Sequence, residues 1–234
     1  MTLAGNAGVM HEAPQPSRKR YDAVVFDLLT ALIDSWSTWN SVAGSEDDGL
    51  KWRKEYLKLT YGAGKYRPYE DIVADAAANA GYPRSYAENL AKRWDDLRPW
   101  PEAQEVLRQL APAAKLAVVT NCSNELGRKA SQRLFSGFDV IVTAEEAGFY
   151  KPLREPYAMT LEKLGTEPGR TLFVAGSASD VPGASALGMP VYWHNRINLP
   201  SINEVSPAFH ERTLDRLLEV VLDTNSGEAA QRGE

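Results

Sequence analysis

Short apolar runs alternate with stretches of helical period along most of this chain. Ala23-Val24-Val25-Phe26, Leu116-Ala117-Val118-Val119, Phe138-Asp139-Val140-Ile141-Val142, Thr171-Leu172-Phe173-Val174-Ala175 and Pro190-Val191-Tyr192-Trp193 each read as a strand buried on both faces. Helical patterns over 124–134, 156–164 and 181–187 separate the later four. Strands alternating with single helices predict right-handed crossovers, and hence an α/β fold with a doubly wound parallel sheet. In such sheets the site lies at the carboxyl ends of the strands.

One interval breaks this rhythm. From Trp36 to Arg98 no strand-like run occurs, and aromatic and aliphatic residues recur at helical spacing, most clearly over 52–57 and 69–80. Trp100-Pro101-Glu102 restarts the alternation, followed by a helical pattern over 105–110. The pattern predicts a helical cap over 36–98 inserted in an α/β core made of 21–35 and 99–223. A cap above the strand ends would keep water out of a site there. Residues 1–20 and 224–234 are rich in small and polar residues without amphipathic period, and are expected to be an unstructured arm and tail. The arm lacks the apolar stretch of a secretory signal.

Composition narrows the function. The 26 basic and 31 acidic side chains of this 234-residue chain give a formal charge of −5, unlike the basic face that binds nucleic acid. No run approaches the roughly eighteen apolar residues of a membrane span. The single Cys122 cannot form an internal disulfide. These features predict a soluble, cytoplasmic globular protein with neither a nucleic-acid nor a membrane partner.

Chemistry gathers just past the strands. Asp27 follows the first, Thr120-Asn121 the second, Lys151 the third after a turn, and Asp180 the fourth. Each has a plain alternative: an Asp after a strand is often a helix N-cap, and Thr-Asn is ordinary turn chemistry. Four such groups in order, each at a strand end, point to one site. Cys122 reads as a small buried hydrophobe, because His194 alone among three histidines could approach it. Gly176 and Gly183 do not match the spacing of a phosphate-binding loop.

The ordered set Asp27, Thr120-Asn121, Lys151 and Asp180 resembles the haloacid dehalogenase superfamily, and most strongly its (S)-2-haloacid dehalogenase branch. The resemblance spans roughly 22–196. Trp52-Arg53 resembles the branch's Trp-Arg, whose Arg lies at the leaving group. Tyr157 resembles its Tyr partner, and Trp193-His194-Asn195-Arg196 its Trp-x-Asn-Arg. The resemblance implies a Rossmann-like core with a cap, in which caps of this kind can pair as a homodimer. Asp27, Lys151, Asp180 and Thr120 then fall on catalytic positions. Leu28, through its backbone, with Arg53, Asn121, Ser177 and Tyr157, falls at the substrate.

This resemblance implies a metal-free hydrolase with no cofactor, acting on a small carboxylic acid. The superfamily's phosphatases carry a second Asp two residues after the nucleophile, where this chain has Leu29, so phosphate-ester hydrolysis loses its general acid. Attack by Asp27 at C2 of a 2-haloacid would form an ester, which water hydrolyses to a 2-hydroxy acid. The chain also departs from the branch. Asp-x-Tyr-Gly-Thr is replaced by Asp27-Leu28-Leu29-Thr30-Ala31, and Ser-Ser-Asn-x-x-Asp by Ala175-Gly176-Ser177-Ala178-Ser179-Asp180. Three alternatives therefore stand beside the dehalogenase: an azetidine-2-carboxylate ring-opening hydrolase, with Trp36, Trp39 and Tyr61 available to an ammonium; a phosphatase; and a catalytically silent binding protein.

Overall fold

The computed structural model describes residues 19–222. In chain order its strands are β1 (Ala23–Phe26), β2 (Ile33–Asp34), β3 (Arg98–Pro99), β4 (Lys115–Thr120), β5 (Val140–Thr143), β6 (Thr171–Ala175), β7 (Val191–His194) and β8 (Phe209–Glu211). Its α-helices are α1 (Ser35–Ala43), α2 (Glu46–Gly62), α3 (Tyr69–Asn79), α4 (Ser85–Lys92), α5 (Ala103–Leu110), α6 (Asn124–Leu134), α7 (Ala144–Ala147), α8 (Arg154–Leu164), α9 (Asp180–Ser185) and α10 (Leu217–Leu222). Six strands form one parallel sheet in the order β5-β4-β1-β6-β7-β8. The expected doubly wound α/β architecture is present.

Side-chain alternation along β1 explains the layers. Val24 and Phe26 point into one core with residues of α5, α6 and α10, while Ala23 and Val25 point into a second with residues of α8 and α9. Both faces are therefore covered, which is why these strands read as continuous apolar runs. Two details differ from the sequence reading. The third strand starts at Val140, because Asp139 is used to bind the Leu116 amide through its carboxylate (2.8 Å) at the edge of β4. The sheet also gains β8, whose Phe209-His210-Glu211 carries too short and too polar a signal to stand out.

Helices α1–α4 occupy the interval between β2 and β3. Those two strands pair antiparallel, Ile33 with Pro99 and Asp34 with Arg98, at the root of the helical segment. Its interior is aromatic: the Trp39 and Trp52 rings lie 4.4 Å apart, and Tyr56, Tyr69 and Trp94 continue the series at 5.4–6.0 Å. Burying such rings is the main stabilisation of so small a bundle, and truncating Trp52 to Ala would cost about 3–5 kcal/mol.

Most of the expected unstructured arm, 1–18, and all of the expected tail, 224–234, lie outside the described residues. Lys19 and Arg20, grouped with the arm on composition, are instead attached. The Arg20 amide donates to the Val221 carbonyl (2.9 Å), and the Arg20 guanidinium lies 5.5 Å from the Phe209 ring centre. Among the described residues no helix is long and apolar enough to cross a membrane.

Candidate active site

Asp27 leaves the end of β1 and turns back into a tight turn that its own carboxylate holds. Oδ2 accepts from the Thr30 amide (2.9 Å), the Thr30 hydroxyl (2.5 Å) and the Ala31 amide (3.2 Å). The capping geometry and the functional geometry are thus the same geometry. Oδ1 accepts from Lys151 Nζ (2.8 Å), and the same ammonium donates to Asp180 Oδ2 (3.1 Å). Tyr157 donates to the other Asp180 oxygen, Oδ1 (2.7 Å). Beneath the ammonium lies the Phe173 ring, 5.6 Å away.

The charges in this buried trio are set by each other. Burial pushes the Asp27 carboxyl up, but the Lys151 ammonium and the Thr30 hydrogen bonds outweigh it and leave it below the ordinary Asp value. For Lys151, burial alone would lower the pKa, yet Asp180 and Asp27 together raise it above the usual lysine value. Asp180 goes the other way: burial and the Asp27 charge exceed the help from Lys151 and Tyr157, so its carboxyl is raised. One carboxylate held ionised beside another with raised proton affinity is the division of labour that nucleophile and base require.

Asp27, Lys151 and Asp180 face a cavity of about 260 Å³ beneath α2, with Thr120 and Asn121 at the end of β4 and Arg53, Tyr56 and Tyr61 from α2 in its wall. Asn121 fixes the third segment through two bonds, accepting from the Lys151 amide (2.7 Å) and donating to the Lys151 carbonyl (3.0 Å). Arg53 is 5% exposed. Its guanidinium stacks 4.0 Å over the Trp36 ring centre and donates through Nη2 to Ser35 (2.8 Å), whereas its Nη1 is buried without a partner. Burial lowers its pKa, but a guanidinium stays charged at neutral pH. Ser177 lines the cavity, 2.9 Å from Ser179, which in turn receives the Tyr61 hydroxyl.

Of the expected substrate-contacting residues, Tyr157 stands elsewhere, and the Leu28 side chain takes no part in the wall. The Leu28 side chain is fully buried in the core, as an assignment through its backbone amide allows, and Leu29 and Thr30 form that part of the wall. Tyr157 is not in the wall. It sits behind Asp180, packed edge-on to Phe173 at 5.2 Å, and orients the carboxylate. Trp39, considered for an ammonium, is committed to the aromatic interior. Sequence reasoning missed Tyr56, whose hydroxyl reaches the Asn121 carbonyl (3.1 Å), and the wall residues Leu199, Pro200 and Ile202. The Asn195 side chain could have indicated that loop, since it pins Leu199 through both its amide and its carbonyl. Cys122 is fully buried and its thiol is pushed up to about 12 by burial, which removes it as a nucleophile at neutral pH.

A magnesium ion, as phosphoryl-transfer relatives of such a fold would need, does not suit this donor set. Every oxygen of Asp27 and Asp180 is already engaged, with the Lys151 ammonium between the two carboxylates; Leu29 has no side-chain oxygen and its carbonyl accepts from the Ser35 hydroxyl. Among the described residues no three His, Cys, Asp or Glu side chains cluster to hold a metal.

The sequence model of the haloacid dehalogenase-like hydrolases matches residues 21–188, most of the chain. The chain belongs to this family. Within the haloacid dehalogenase-like hydrolases, an (S)-2-haloacid dehalogenase of Xanthobacter autotrophicus is 28% identical over 189 residues, covering 72% of this chain and 73% of that protein. A phosphoglycolate phosphatase of Aquifex aeolicus is 38% identical over 179 residues, 70% and 80% of the two chains. The solved L-2-haloacid dehalogenase of Xanthobacter autotrophicus, with chloropropionic acid covalently bound, superposes with a TM-score of 0.76 at 23% identity. It covers 86% of this chain and 98% of its own, and shows the shared fold of core and cap.

Proposed function

We propose that this hydrolase uses Asp27 to displace the leaving group at C2 of a small 2-substituted carboxylic acid, with an (S)-2-haloacid as first choice. The observation that carries the reading is Arg53. A buried guanidinium with an unpartnered N–H in the wall of the same cavity as an ionised Asp27 calls for an anion there. A departing halide supplies one at the moment of reaction. Asp27 Oδ1 forms a bond to C2 as the carbon–halogen bond breaks and the halide leaves with the electron pair. Water then adds to the Asp27 carboxyl carbon, giving one proton to Asp180. The adduct collapses and the carbonyl carbon–alkoxide bond breaks. Asp180 returns that proton to the alkoxide to release the 2-hydroxy acid, and the second water proton passes to solvent as Asp27 regains its carboxylate. Lys151 keeps Asp27 charged before the first step, and Thr120 with Asn121 lies where the substrate carboxylate would rest. No metal or cofactor enters these steps.

The ring-opening reading is second. Its ammonium would need an aromatic face, and the Trp36 face is already covered by Arg53. The phosphatase reading has the Aquifex relative in its favour and Leu29 against it. A silent binding protein would retain three buried charges to no end.

A single panel tests this: (S)- and (R)-2-chloropropionate, azetidine-2-carboxylate and phosphoglycolate, each with EDTA and each with magnesium. Chloride release from the (S) acid under EDTA, abolished in Asp27→Asn, is the expected result. After several turnovers in heavy-oxygen water, mass spectrometry should find label in the Asp27 carboxyl. Hydrolysis of phosphoglycolate alone, and only with magnesium, would overturn the reading.

A further inference from the structure

Three departures from the dehalogenase pattern, Thr30, Ala31 and Gly176, meet at one place. Asp27 Oδ2 takes three donors, two of them from Thr30, while Oδ1 takes only the Lys151 ammonium. The turn that delivers these donors is clamped from outside. Trp100 Nε1 donates to the Thr30 carbonyl (3.0 Å) and His194 Nδ1 lies 2.8 Å from the Ala31 carbonyl. From the other side it rests directly on Gly176. A Cβ at that position would stand 2.3 Å from both the Ala31 nitrogen and the Thr30 carbonyl carbon, and 2.4 Å from Thr30 Oγ1. Real contacts of that kind do not occur, and two of the three atoms are backbone, so any side chain at 176 must push the turn away.

We propose that Thr30 is a positioning residue for Asp27: its hydroxyl and amide immobilise Oδ2, aim Oδ1 at the cavity, and reach that place only because residue 176 has no side chain. This rests on the reading of Asp27 as nucleophile. A carboxylate free to rotate about its Cβ–Cγ bond would present either oxygen at varying angles. One whose Oδ2 is held by three donors presents Oδ1 in one orientation, which favours in-line attack. The threonine hydroxyl has a second effect. It bonds the ionised form of Asp27, and such a bond stabilises the charged carboxylate against protonation. The hydroxyl that the resembling pattern carries at position 31, where this chain has Ala31, is thus provided from position 30, and the Ser of that pattern at 176 has given way to make room.

The test uses Thr30→Val, which keeps the shape and removes the hydroxyl, and Thr30→Ser, which keeps the hydroxyl. On (S)-2-chloropropionate, Thr30→Val should lose roughly ten- to a hundredfold in kcat, the range for a hydrogen bond to a charged group, with KM little changed. Its acid limb should move to higher pH. Thr30→Ser should restore both. A ¹³C NMR titration of the Asp27 carboxyl, assigned by difference from Asp27→Asn, needs no turnover. It should show the midpoint raised in Thr30→Val and returned in Thr30→Ser. Gly176→Ala should reproduce the Val defect, and the double variant should be no worse than the poorer single, because both act through one contact. Superimposable titrations for wild type and Thr30→Val would overturn the proposal, as would a Ser variant as impaired as Val. If Thr30→Val is silent while Asp27→Asn still abolishes turnover, the positioning role alone fails. If Asp27→Asn turns over, the nucleophile reading fails with it.

Discussion

Arg53 is where the choice between leaving groups can be decided. Its Nη2 donates to Ser35, its face stacks on Trp36, and its Nη1 is buried without a partner. A halide gains a full charge as it leaves, so a guanidinium beside it stabilises the transition state more than the ground state. Arg53→Met should therefore lose about 10²–10³-fold in kcat on (S)-2-chloropropionate. If Arg53 only holds the substrate carboxylate, the loss appears in KM instead, and steady-state kinetics separates the two. Unchanged kcat would remove Arg53 as halide acceptor and move the ring-opening substrate to first place. Asp27, Lys151 and Asp180 were legible in the sequence because each follows a strand, and strand ends converge. The place of Tyr157 behind Asp180, and of Thr30 on Asp27, was not. Those depend on which way a side chain leaves its turn, and no periodicity records that.

At the scale of elements, α2 carries the site's cap side and α1 sets its position. The two helices cross at Gly49, where an added Cβ would fall 2.1 Å from Asn40 Oδ1 and 2.7 Å from Asn40 Cα. Gly49 lies one turn before Arg53 and on the same face. Gly49→Ala gains about 1 kcal/mol of helix propensity. Overpacking of this kind typically costs about 1–3 kcal/mol, and with a backbone atom at 2.7 Å the upper part of that range applies. The variant should melt at lower temperature than wild type in calorimetry and should lose activity as Arg53 is displaced from Ser35. A rise in melting temperature with full activity would show that the helices tolerate separation. The strands of the core were legible because both faces are apolar; β2 and β3 were not, because two residues each leave no period. Helix α1 falls within the interval read as helical but shows no clear period of its own, since Ser35, Thr38 and Trp39 face inward among polar neighbours.

For the molecule as a whole, His194 is a contributor to the pH dependence of stability that lies outside the trio of buried charges. His194 is fully buried, and burial lowers its pKa below the ordinary value, more than the Ala31 carbonyl and Glu102 raise it. The unfolded chain therefore takes up this proton at about pH 6.5 while the native state does not. With more protons bound in the unfolded state, stability rises with pH through that region and falls as pH drops below it. Thermal unfolding followed from pH 8 to pH 5 should show a declining midpoint, flattened in His194→Gln. An equal decline in the variant would assign the effect to other groups.

The ties between cap and core give Asn121 a double allegiance. Its carbonyl receives the Tyr56 hydroxyl from α2, and its side chain holds both backbone groups of Lys151. Further links bind Ser123 to Glu70 (2.7 Å) and the Gly148 carbonyl to the Tyr66 amide (2.7 Å). Any swing of the helices away from the sheet pulls on the segment bearing the ammonium that keeps Asp27 reactive. With Asp27 as the proposed nucleophile, an opened cap would slacken the group that attacks, and full reactivity would be kept for a guest already enclosed.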